Sequence, residues 1–182
     1  MALKFTTSYL EDSLSLFRYY KNLSERAMAQ VSDEQLFTVL DREMNSIAII
    51  VKHMAGNMRS RWTDFLTSDG EKPDRNRDTE FIDPPTSREA LLALWNESWD
   101  LLFRALEPLT DADLQRTVKI RGEGHSVMQA MNRQLTHYAY HSGQIVLLAK
   151  HLNHSHWKTL SIPRNQSAEF NSRVLTGKAS QR

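Results

Sequence analysis

Four long stretches of this chain repeat their apolar residues at the spacing of an α-helix, and the segments between them carry most of the proline, glycine and aspartate. A period of about 3.6 residues puts one apolar stripe on each helix. Such stripes are buried only against one another, which predicts an all-α architecture. The first stretch covers residues 3–29, with Leu3, Leu10, Leu14, Phe17 and Leu23 on or near one face. The second covers residues 45–66, where Ile47, Ile50, Val51, Met54, Met58, Trp62 and Phe65 share one arc.

Helix starts are written into the third and fourth stretches. Thr86-Ser87-Arg88-Glu89 reads as a capping box, in which the Thr86 oxygen and the Glu89 side chain each satisfy an orphan amide, and Pro108 helps to end that helix. Ser126-Val127-Met128-Gln129 opens the fourth, which runs to residue 152 with Val127, Met131, Tyr138, Ile145, Ala149 and Leu152 inward.

The connection 67–85 contains Asp69-Gly70, Pro73, Asp83 and Pro84-Pro85 and is long enough to cross the end of a helical bundle, which favours one crossover. Residues 117–121, followed by Gly122-Glu123-Gly124, alternate like a short strand or hairpin. Residues 31–36 echo residues 109–114, each after a long helix and before a histidine-bearing one; two similar helical hairpins would build a four-helix bundle. The expected division is a helical domain over 1–155 and a polar tail over 156–182. From residue 157 that tail has five basic residues against Glu169 alone, and it reads as solvated chain or as a basic interaction arm.

Charge excludes some functions. With 23 Lys and Arg against 22 Asp and Glu, the net charge of +1 gives no footprint for nucleic acid. The longest aliphatic run, 47–51, is ended by Lys52, far short of a membrane span, and no leader pattern opens the chain; a cytoplasmic protein with neither nucleic acid nor membrane as partner is expected. A chain of 182 residues suffices for one domain with a sizeable core.

There are seven histidines and no cysteine. A transition-metal site must therefore be built from imidazole and carboxylate, and thiol chemistry needs a thiol from outside. His137 and His141 are four apart on the fourth helix, so both imidazoles can share one face and chelate one ion. The same spacing also suits two hydrogen-bonded histidines at a helix interface. Tyr138 stands where a zincin needs Glu, and no Glu-x-x-His repeat of a di-iron bundle occurs. A mononuclear site needs a third ligand from another helix, and His53, just off the edge of the second helix's apolar arc and near Ser46 and Asn57, is the best candidate. His151, His154 and His156 suit the dipole at a helix C-terminus, and His125 reads as a loop residue.

Asn45-Ser46-Ile47 leading to His53, followed by His137-x-x-x-His141-Ser142-Gly143-Gln144-Ile145, resembles the two halves of the motif of the DinB/YfiT-like metal-binding four-helix bundles of bacteria, over roughly residues 3–152. The chain differs from the commonest pattern in having Ser142 where relatives often have Arg. The resemblance implies an up-down-down-up bundle with a three-histidine divalent metal site, carried here onto His53, His137 and His141. Relatives of that kind include S-transferases and isomerases that use low-molecular-weight thiols such as bacillithiol or mycothiol, and others with no assigned activity. The resemblance thus implies an enzyme that activates an external thiol, with S-transfer to an electrophile the leading expectation.

Three imidazoles suit zinc, nickel or iron, and copper as well. Gln144 and Asn57 are expected to orient ligands or substrate, and Tyr138 to pack or donate a hydrogen bond nearby. The alternatives are a non-catalytic metal- or ligand-binding stress-response protein, a metal-dependent hydrolase, and a metal-free helical interaction module. A homodimer is expected, with Tyr19, Tyr20, Trp95 and Trp99 available for its interface unless they fill the core.

Overall fold

The computed structural model describes residues 8–180. It is mostly helical, with one small antiparallel sheet. In chain order the elements are α1 (Tyr9–Met28), α2 (Asp33–Phe37), α3 (Ile47–Trp62), α4 (Arg88–Leu106), β1 (Thr117–Ile120), β2 (Glu123–Ser126), α5 (Val127–Asn153) and α6 (Ser167–Leu175). Short 3-10 turns at Asp78–Phe81, Asp111–Gln115 and His154–His156 punctuate the connections.

Capping chemistry sets the helix starts. Ser8, Ser46, Ser87 and Ser126 each accept a hydrogen bond from the amide three residues on, at the heads of α1, α3, α4 and α5. The box at Ser126 and Gln129 is complete. That expected at Thr86 and Glu89 is corrected: Ser87 is the cap and the helix begins one residue later, because a serine directly after the threonine offers the same oxygen. The two echoing segments each form a boxed helical turn, Ser32 with Gln35 and Thr110 with Asp113.

The second helix, expected to reach residue 66, stops at Trp62, with Asp64 in the left-handed region at φ 49°. Phe65 continues the apolar pattern without being helical, since it is buried against Trp62 with ring centroids 4.8 Å apart. Leu3, expected on the first helix, lies outside the described residues.

Four long helices share one core, with α1 packed on α5, α4 on α3, and α3 on α5. One aromatic ring from each meets at its centre. Phe17 of α1 lies 6.3 Å from Trp62 of α3, 6.5 Å from Trp99 of α4 and 6.0 Å from Tyr138 of α5. Trp95 and Trp99, expected at an interface or in the core, are both buried, whereas Tyr19 is exposed.

Tyr138 sets the rotation of α5. Its phenol accepts from Trp62 Nε1 and donates to Asn57 Oδ1, each at 3.0 Å. With Tyr138 aimed into the core, His137 and His141 turn towards α3. On the other side of α5, Ser142 is fully buried against α1, where its Oγ accepts from Ser24 Oγ at 3.0 Å.

Candidate metal centre

His53, His137 and His141 converge. The Nε2 of His137 lies 3.3 Å from that of His53 and 3.1 Å from that of His141, and one ligand atom from each histidine falls within 4.8 Å of the others. Imidazole nitrogens about 2.0–2.1 Å from one tetrahedral ion would stand about 3.3 Å apart, so the two short separations fit a shared ion.

Protonation also favours ligation. Burial, followed by the charges of His141 and His53, pushes His137 down to about 3, and burial pushes His141 down to about 4. Both rings are neutral at pH 7, the form that offers a lone pair to a metal.

Outer hydrogen bonds orient two of the three rings. His53 Nδ1 donates to Glu80 Oε2 at 2.8 Å; the carboxylate can only accept, so the proton sits on Nδ1 and the Nε2 lone pair faces the cluster. His141 Nδ1 donates to Gln144 Oε1 at 2.7 Å, and Gln144 Nε2 donates to the Tyr140 hydroxyl at 3.0 Å. His137 Nδ1 is buried without a partner among the described residues.

Glu80 is buried. Burial alone would raise its pKa, but hydrogen bonds from His53 and Arg75 outweigh that and hold its carboxyl below the ordinary carboxylate value. Arg75 grips it with two donors, Nε to Oε1 at 2.7 Å and Nη2 to Oε2 at 3.1 Å. The adjacent Phe81 ring stacks on His53, with centroids 4.7 Å apart and planes 26° apart. A single turn in the connection between α3 and α4 therefore both bonds and covers a histidine of the cluster. The sequence reading missed Glu80 and Arg75, because a glutamate in a polar connection has no periodicity to set it apart.

Of the residues expected to support the site, Gln144 touches a cluster histidine. Asn57 accepts from Tyr138 instead, and Tyr138 is a core residue whose phenol burial holds above its ordinary pKa. His125 stands in β2, and His151, His154 and His156 cluster at the end of α5; among the described residues none of these joins a group able to hold an ion. His53, Asn57, Gln134, His137 and Tyr140 face a cavity of about 400 Å³.

The fold and the cluster define a mostly helical protein with a three-histidine group able to hold a metal ion. The chain belongs to the family described as Protein of unknown function (DUF1572), whose model matches residues 4–166. No curated protein and no solved structure matches it. No helix among the described residues is long and apolar enough to cross a membrane.

Proposed function

We propose that this protein is a DinB-like, divalent-metal-dependent enzyme in which the four long helices form an up-down-down-up bundle and His53, His137 and His141 hold a zinc, nickel or iron ion. The convergence of three Nε2 atoms, with Glu80 and Gln144 fixing two of the rings from behind, carries this reading. Three protein ligands leave a position for an incoming molecule, as catalytic zinc sites do. Such an ion supplies Lewis acidity, lowering the pKa of a thiol or water held there.

The chain's own residues do the rest. Glu80 and Gln144 keep two imidazole lone pairs turned inward, and neutral His137 and His141 impose little proton competition at pH 7. Tyr140 accepts from Gln144, which leaves its own hydroxyl proton for a molecule in the cavity it lines. Because the chain has no cysteine, sulfur chemistry needs a small-molecule thiol. The reaction proposed is attack of that thiol's sulfur on an electrophile, forming a C–S bond as the leaving group departs with its electron pair and the thiol proton passes to solvent.

Elemental analysis of the protein as purified is the first test, followed by turnover with a panel of low-molecular-weight thiols and a reactive electrophile. About one ion per chain is expected, lost in His53→Ala, His137→Ala and His141→Ala. Unchanged metal content in all three variants would overturn the site. Bound metal without thiol-dependent turnover would instead favour hydrolysis or a non-catalytic binding role.

A further inference from the structure

The cavity beside the histidine cluster is lined by Arg61, Arg75, Arg77, Arg121 and Arg133, which come from α3, the α3 to α4 connection, the β1 to β2 turn and α5. Two carboxylates answer them. Glu71 meets Arg61 at 3.0 Å, Arg75 at 3.1 Å and Arg121 at 3.3 Å, while Glu80 is held by Arg75 and His53. Five guanidinium groups against these two carboxylates, with Asp69 behind the β1 to β2 turn, leave a positive excess in one small volume, although the chain as a whole is almost neutral. Arg77 and Arg133 have no carboxylate partner among the described residues.

Three further observations point to a ligand. Four buried side-chain polar atoms lack a hydrogen-bond partner among the described residues, and two of them are nitrogens able to donate that belong to walls of this cavity, Arg61 Nε and His137 Nδ1. Buried polar groups are seldom left so, because each costs its full desolvation.

Arg77 lies over the Phe81 ring, 5.0 Å from its centroid, and that ring stacks on His53. A cation held over an aromatic ring in this way makes no hydrogen bond there, which keeps the guanidinium's N–H donors available.

Arg121 occupies a two-residue hairpin turn with Gly122, at φ 57° and 79°. Asparagine or glycine adopts the first of these positions more readily than arginine. Here Asp69 secures the turn by accepting from both amides, at 2.8 and 2.7 Å.

We propose that this cavity binds a small molecule with two or more carboxylate or phosphate groups, received by Arg77, Arg121 and Arg133. Paired guanidinium donors can engage two oxygens of either group, and 400 Å³ suits a small ligand. Arg133 is one helical turn before His137 on the same face, so an anionic group there places the rest of the ligand beside the cluster. The direction of the reactive end rests on the metal-enzyme reading above. Anion binding itself does not.

Calorimetric titration of the full chain, as purified and after chelator treatment, tests this at low ionic strength with tricarballylate, inorganic pyrophosphate and neutral propane-1,2,3-tricarboxamide. At least one anion should bind the chelator-treated protein saturably, and the triamide should not. The double variant Arg77→Gln, Arg133→Gln should weaken binding about tenfold or more, the loss expected for charge-assisted bonds.

Arg121→Asn separates ligand recognition from folding: it should weaken anion binding while leaving the melting temperature unchanged or raised. Tighter tricarballylate assigns the site to carboxylates, and tighter pyrophosphate to phosphates. If neither anion saturates, or if the arginine variants bind like wild type, the proposal is overturned. A chain that takes up anions but no metal keeps this inference and loses the metal reading; one that binds metal but no anion does the reverse.

Discussion

Glu80 fills the space that a side chain on Gly56 would need. A Cβ at position 56 would stand 2.5 Å from Glu80 Oε1, and the carboxylate cannot simply swing away, because Arg75 and His53 hold it from two sides. Gly56 lies three residues beyond His53 on α3, so the absence of a side chain there lets an acid from a distant connection reach a cluster histidine.

Gly56→Ala is therefore expected to displace Glu80 and lower metal affinity by about 10- to 100-fold, as loss of an outer hydrogen bond to a ligating histidine does. Glu80→Gln should weaken affinity in the same direction with less disturbance of packing. Competition with a chromophoric chelator measures both, and wild-type affinity in each would show that Glu80 does not tune the site.

Gly143→Ala should act on stability and leave the cluster alone. Gly143 is exposed inside α5 and nothing lies within 4 Å of where its Cβ would stand. Alanine there should stabilise the helix by about 0.5–1 kcal/mol, read from urea denaturation, with metal affinity unchanged.

Acid should weaken the metal-free protein. His137 and His141 stand at about 3 and 4 in the folded chain against 6.5 for the ordinary side chain. Between these values and 6.5 the unfolded chain binds more protons than the folded one. Their contribution is thus intact above pH 6.5 and is lost as the pH falls through that window. Denaturant titrations from pH 7 to 4 should show a slope that His137→Gln partly flattens. An identical slope in that variant would rule out His137 as a source.

Removing the ion should cost little secondary structure. The core is organised around Phe17, Trp62, Trp99 and Tyr138, one ring from each long helix, and these do not depend on the cluster. Chelation is expected to leave the helical circular dichroism nearly intact, whereas Trp99→Ala, which empties a fully buried site, should cost about 3–5 kcal/mol. Collapse of the helical signal on chelation would make the ion structural.

Local rules account for what could be read from the sequence. Periodicity places the long helices, and Ser126 with Gln129 marks the head of α5 because a capping box depends on neighbours only. The four-residue step puts His137 and His141 on one face, and the arc containing Ile50, Met54 and Met58 puts His53 at its edge, where the structure brings it to the other two. Periodicity overran the end of α3 because Phe65 stays buried after the backbone has left the helix. Glu80 and the arginines of the cavity were not legible, since they come from separate segments and meet only after the chain has folded.

The connection between α3 and α4 supplies Glu80, Arg75, Arg77 and the Phe81 ring, yet of these groups only Phe81 and Glu80 touch a cluster histidine directly. The helices keep the three imidazoles, and the connection dresses them. Retailoring residues 71–82 would accordingly be a route by which descendants of one scaffold come to handle differently charged molecules without rebuilding the interior.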